Sequence, residues 1–208
     1  PDPYSQFTKD LWAGKKMYAD SADVQSRRLC DEAMAGITAG EGYVQVLNTN
    51  LWPRTDVVTV AADLTGKRLL APSGEPVAVQ RLHDGGWIFL AEEVSALSSS
   101  VYRIVPAAPA AKAKKSPAAP VSMIIGGNVL DNGLVRVAVD PAKGTIRSLK
   151  AAGADYEYAA GEGLNDYIYS GRIAADPRGI DRVTRVEVLD DGPVAATLRI
   201  VSEAPGCN

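Results

Sequence analysis

Two hydrophobic periods divide the chain. Between Ser5 and Ile37, the residues Phe7, Leu11, Tyr18, Ala22, Leu29, Ala33 and Ile37 recur at intervals of four and seven with no proline among them, which predicts a helix with one apolar face. Ser5 is placed to cap its start, and Gly36 and Gly40 to end it. Such a helix is on the order of 50 Å long, more than a small domain covers, so part of its apolar face is expected to lie against residues outside this chain. A break near Asp20-Ser21 into two helices is the alternative.

From Tyr43 the period falls to two. Tyr43–Leu47, Val57–Val60, Val77–Gln80, Trp87–Leu90 and Ser100–Val105 are short β-rich runs separated by Gly, Pro and Asp, which predicts a small antiparallel, Ig-like sandwich. Pro106 to Pro120, PAAPAAKAKKSPAAP, interrupts the pattern with a low-complexity tract that reads as an exposed linker. Beyond it, Val135, Val137 and Val139 alternate with Leu134, Arg136 and Ala138, and Asp140-Pro141-Ala142-Lys143-Gly144 supplies a hairpin turn into Thr145–Leu149. Leu164–Tyr169 is a further strand candidate. Val183–Leu189 and Val194–Val201 flank Asp190-Asp191-Gly192-Pro193 as a second hairpin, with Val194, Ala196, Leu198 and Ile200 on one face. The expected class is mainly β: a helical segment over 1–40, a first sandwich over 41–105, the linker over 106–120 and a second β-module over 121–208.

Composition narrows the functions. Charged residues are 23% of the chain and the net charge is −3, so no basic surface calls for nucleic acid or anionic lipid. No apolar run approaches the length of a membrane span. Opening on Pro1 without an initiator Met, the chain is expected to be a piece of a longer protein, and its localisation stays open. Cys30 and Cys207 form no metal spacing and read as two free thiols.

Chemistry-bearing residues are sparse. His83 is the single histidine and falls in a predicted hairpin turn, where it reads as a surface histidine without partners for a metal. The adjacent carboxylates Asp31-Glu32, Glu92-Glu93 and Asp190-Asp191 read as solvated charge. Ser98-Ser99-Ser100 has no base in the pattern, and the glycine pairs lack a phosphate-binding context. Neither a catalytic residue nor a metal ligand is expected here. Asn165, Asp166, Tyr167 and Tyr169 combine aromatic rings with amide and carboxylate groups, which suits sugar hydroxyls. The bland reading, favoured for them, is that they pack and pair within a sheet.

Four segments in order carry a family likeness. Asn48-Thr49-Asn50-Leu51-Trp52-Pro53-Arg54 before a valine-rich strand, the Asn-Gly, strand, Asp-Pro-x-x-Gly, Ile-x-Ser-Leu order of 132–149, Leu164-Asn165-Asp166-Tyr167-Ile168-Tyr169, and Gly192-Pro193-Val194-Ala195-Ala196-Thr197-Leu198-Arg199 resemble the β-domains of glycoside hydrolase family 38 α-mannosidases. Asp2–Phe7 and Trp12–Ala19 resemble the stretch just downstream of the metal-proximal segment in bacterial relatives. The resemblance implies a retaining, zinc-dependent parent enzyme that hydrolyses α-mannosides through an Asp nucleophile and a second carboxylic acid. It also implies that this chain is the non-catalytic portion downstream of the barrel, with zinc held by the parent and no cofactor in these residues. The second module then reads as an incomplete mutarotase-like supersandwich, whose open edge would invite strand pairing with another copy. A stand-alone carbohydrate-binding or adhesion module is the alternative.

Overall fold

A computed structural model describes residues 2, 4–37, 40–107, 123–125, 127–161, 163–169 and 178–205, with backbone only at 123–125. It is mainly β, with one N-terminal helix and several antiparallel sheets. The chain divides into two compact units, Pro1–Glu41 and Gly42–Asn208.

The first unit is helix α1, Gln6–Met34. Ser5 adopts an extended backbone and its hydroxyl accepts the Thr8 N–H, satisfying one of the donors that a helix start leaves free. The helix runs unbroken through Asp20-Ser21, so the two-helix alternative does not hold. Lys16–Asp20, Asp23–Arg27 and Arg28–Glu32, each four residues apart, brace its middle and end. Phe7, Leu11, Trp12, Tyr18 and Leu29 are all exposed.

The second unit opens with two stacked sheets. One has the order β1 (Tyr43–Asn48), β7 (Ser98–Pro106), β3 (Lys67–Leu70), β4 (Pro76–Val77); the other has β2 (Arg54–Val60), β6 (Trp87–Val94), β5 (Val79–Arg81). Both faces contribute to one core. Val60, Phe89, Ala91 and Val94 meet Leu69 and Tyr102, with Leu64 between, and the Phe89 and Tyr102 rings touch edge to face at 4.7 Å. The expected strand Val77–Gln80 is in fact two, because the chain leaves one sheet at Val77 and joins the other at Val79. Strand β3 had no alternation to announce it: Leu69 and Leu70 are consecutive and both buried.

Buried Asn48 fixes the corner where β1 hands over to β2. Its side-chain amide donates to the carbonyls of Trp52 and Val94 (both 2.8 Å) and Ser95 (3.1 Å), and its Oδ1 accepts the Asn50 N–H. Two loops are therefore joined through a single side chain, and Leu51 and Trp52 are left exposed on the outside of the corner.

A four-stranded sheet comes next in the order β11 (Ile146–Ala151), β10 (Val135–Val139), β9 (Val129–Asp131), β8 (Met123–Ile125), with the long hairpin β12 (Arg182–Asp191) and β13 (Ala196–Glu203) beside it. The Asp140 to Gly144 turn forms as its sequence predicts. Asp140 Oδ1 accepts the N–H groups of Ala142 and Lys143, and Gly144 takes the left-handed φ of 70°. A Cβ there would also press on Ile200 and Val183, so the turn lies against the hairpin. By contrast, Leu164–Tyr169 is not a strand. Its backbone pairs through isolated bridges at its two ends, to Ile146 and Arg178, because Asn165 turns left-handed at φ 60° and breaks the extended run.

The two β regions are joined by a buried glutamine. Gln80 of β5 accepts the N–H groups of Val194 and Ala195 on Oε1 and donates Nε2 to the Ala195 carbonyl, all at 2.9 Å. Approach this close requires that residue 192 carry no side chain: a Cβ on Gly192 would collide with the Gln80 amide group. Gln80→Leu is therefore expected to strand three backbone groups and to cost about 1–3 kcal/mol. Gly192→Ala is expected to cost a similar amount, about 1–3 kcal/mol, through overpacking. Urea denaturation midpoints of the two variants and the double variant check both, and the double variant falls short of the sum because the two changes break one contact.

Candidate functional site

Next to the Gln80 contact, an open groove of about 390 Å³ is lined by Gln80, Arg81, Leu82, His83, Gly85, Leu189, Asp190 and Asp191. Its floor is a histidine–aspartate pair. Asp190 Oδ1 accepts the backbone N–H of His83 at 2.7 Å, and Oδ2 lies 2.9 Å from His83 Nδ1. The Asp190 side chain is only 3% exposed, whereas that of His83 is 47% exposed. Burial raises the Asp190 carboxyl's pKa. The His83 backbone and ring and the Thr197 hydroxyl together outweigh it, so the group stays below the usual carboxylate range.

This corrects the expectation of solvated charge for Asp190, whereas Asp191 is exposed. Strand β12 runs on to Asp191 and places Asp190 opposite Thr197, so the carboxylate points into the joint between the two β regions. His83 does sit in a turn, closed by Leu82 and Gly86, but its ring has a partner 107 positions away. A buried carboxylate that orients Nδ1 leaves Nε2 as the nitrogen able to meet a ligand. Chemistry at that nitrogen would need a neighbour, and the groove contains no Ser, Thr or Cys to act as nucleophile. Nor do these residues fit a zinc site. Both Asp190 oxygens and His83 Nδ1 are engaged with each other, and among the described residues no three His, Cys, Asp or Glu side chains gather to hold a metal.

The four residues singled out for sugar contact occupy the segment that bridges Ile146 to Arg178. Asn165, Asp166 and Tyr169 are exposed. Tyr167 is half-buried and its hydroxyl donates to the Pro205 carbonyl at 2.7 Å, so it ties the segment to the end of β13. They share one stretch of chain, but the groove at His83 includes none of them.

Sequence reasoning passed over Tyr156-Glu157-Tyr158. Here the chain returns along the outer side of β11, and Glu157 turns inward to accept the Ser148 hydroxyl at 2.6 Å and the N–H groups of Leu149 and Ala159 at 2.7 and 3.0 Å. Those three donors, the Ser148 hydroxyl first, bring its pKa from 4.5 down to about 2. Tyr158 N–H donates to the Leu149 carbonyl, and Leu164 exchanges two hydrogen bonds with Ile146, so the loop seals the edge of the sheet. With Glu157 turned in, Tyr156 and Tyr158 turn out. Their rings meet edge to face at 4.9 Å, 65% and 51% exposed. The Tyr-Glu-Tyr alternation was the available signal, hidden inside a stretch rich in Gly and Ala.

Because the folded pKa of Glu157 is depressed, its contribution to stability is complete above about pH 4.5 and is lost as pH falls through about 2. Glu157→Gln should lower the melting temperature at pH 7 and flatten its decline between about pH 4.5 and 2. Thermal unfolding of both proteins over that range measures the difference in slope.

Compared with protein-family models and with curated proteins, the chain finds no match.

Proposed function

We propose that this chain is the non-catalytic helix-plus-β portion of a zinc-dependent, retaining α-mannosidase like those of glycoside hydrolase family 38. In this reading Gly42–Asn208 supports the catalytic barrel and walls the sugar cleft. Its stacked sheets at residues 43–106 are an Ig-like sandwich, and the later sheets begin a mutarotase-like supersandwich. The supporting observation is the ordered set of four family-like segments, three of which carry structural junctions. Asn48 holds the corner around Trp52-Pro53-Arg54, Asp140 to Gly144 forms the turn against the last hairpin, and Gly192 to Ala195 meets Gln80.

The test has two arms. This chain, purified with zinc, is expected to release no product from an aryl α-mannoside, while the protein that contains it upstream of and including these residues hydrolyses the same substrate. The reading frame before Pro1 is expected to encode several hundred residues with paired His and Asp. Turnover by the chain alone at an enzyme-like rate, or a signal sequence or stop immediately before Pro1, would overturn the proposal; the latter would favour a stand-alone carbohydrate-binding or adhesion module.

A further inference from the structure

We infer that Tyr156 and Tyr158 form a binding platform for a single hexopyranoside residue. Two exposed rings on a loop are usually a sign of looseness, but this loop is held at its centre. Glu157, between them, receives three hydrogen bonds from β11 and from Ala159, and Tyr158 N–H is bound to Leu149. The rings are thereby presented by a pinned backbone, and little ordering is left to be done on binding.

Size and polarity select the occupant. At 65% and 51% exposure, the two tyrosines leave on the order of 200–300 Å² in the open. That is well short of the roughly 800 Å² per partner that a stable protein interface needs. One sugar ring fits it. The edge-to-face geometry leaves ring faces open, and the electron-rich face of an aromatic ring attracts the weakly positive C–H groups on the apolar side of a pyranose. Neither tyrosine hydroxyl has a hydrogen-bond partner among the described residues, so both can meet sugar hydroxyls. Asp155, also exposed, adds an acceptor one residue away.

The inference rests on the carbohydrate part of the reading above but not on mannoside hydrolysis. Methyl α-D-mannopyranoside and α-mannobiose are titrated into the chain while the tyrosine ring protons are followed by NMR. Saturable shifts of the Tyr156 and Tyr158 resonances are expected. Affinity should fall at least tenfold in Tyr156→Ala and in Tyr158→Ala, and less in Tyr158→Phe, which keeps the ring and loses the hydroxyl. Unfolding midpoints of the variants, expected to match the wild type because both side chains are exposed, separate binding from folding. Absence of saturable shifts in the wild type, or unchanged affinity in both alanine variants, overturns the platform. Binding that depends on both tyrosines in a protein whose full-length form cleaves no α-mannoside would leave the platform standing and remove the mannosidase reading instead.

Discussion

The second unit depends on the rule that a buried polar group must find a partner. Gln80 is a buried polar residue on β5, and its amide would be a liability there without hydrogen-bond partners. Instead it completes the turn of a hairpin more than a hundred residues later, using its carbonyl oxygen for two N–H groups and its amino group for a carbonyl. Asp190 obeys the same rule from the other side, giving both oxygens to His83. The contact is thus reciprocal: each β region lends the other the groups it cannot satisfy itself. Apolar surface drives such regions together without direction, whereas these hydrogen bonds set the register.

Local patterns in the chain announced local structure. Ser5 and the four-and-seven series located α1, alternating valines located β10, and Asp-Pro-x-x-Gly located its turn, since each is decided by neighbours a few positions apart. What stayed hidden was decided at a distance. His83 reads as a surface residue because nothing near it in sequence can bind it, and its partner lies on β12. Strand β3 is hidden for a different reason: Leu69 and Leu70 are both buried, so the one-sided pattern that marks a half-exposed strand never appears. The Leu164–Tyr169 segment has the composition of a strand, yet one left-handed residue prevents it from pairing along its length.

The candidate sites divide along the same line. Asn165, Asp166, Tyr167 and Tyr169 were legible as residue types with an affinity for sugars, but Tyr167 spends its hydroxyl on the Pro205 carbonyl. Tyr156 and Tyr158 are of the same chemical kind and keep their hydroxyls open to a ligand. The difference lies in Glu157, whose carboxylate is turned inward to β11 and Ala159. An acidic residue between two aromatics looks like part of a polar surface until its three donors are seen.

The sealing of β11 also gives the sheet a polarity for growth. One border is shut by Glu157, Tyr158 and Leu164, which occupy the Leu149 and Ile146 backbone groups that a new strand would need. Any strand added laterally to that sheet, from later in a longer chain or from a second molecule, therefore has to enter on the β8 side. A fibre-like stack, which needs two open borders per molecule, cannot propagate through this sheet; at most it can close a pair.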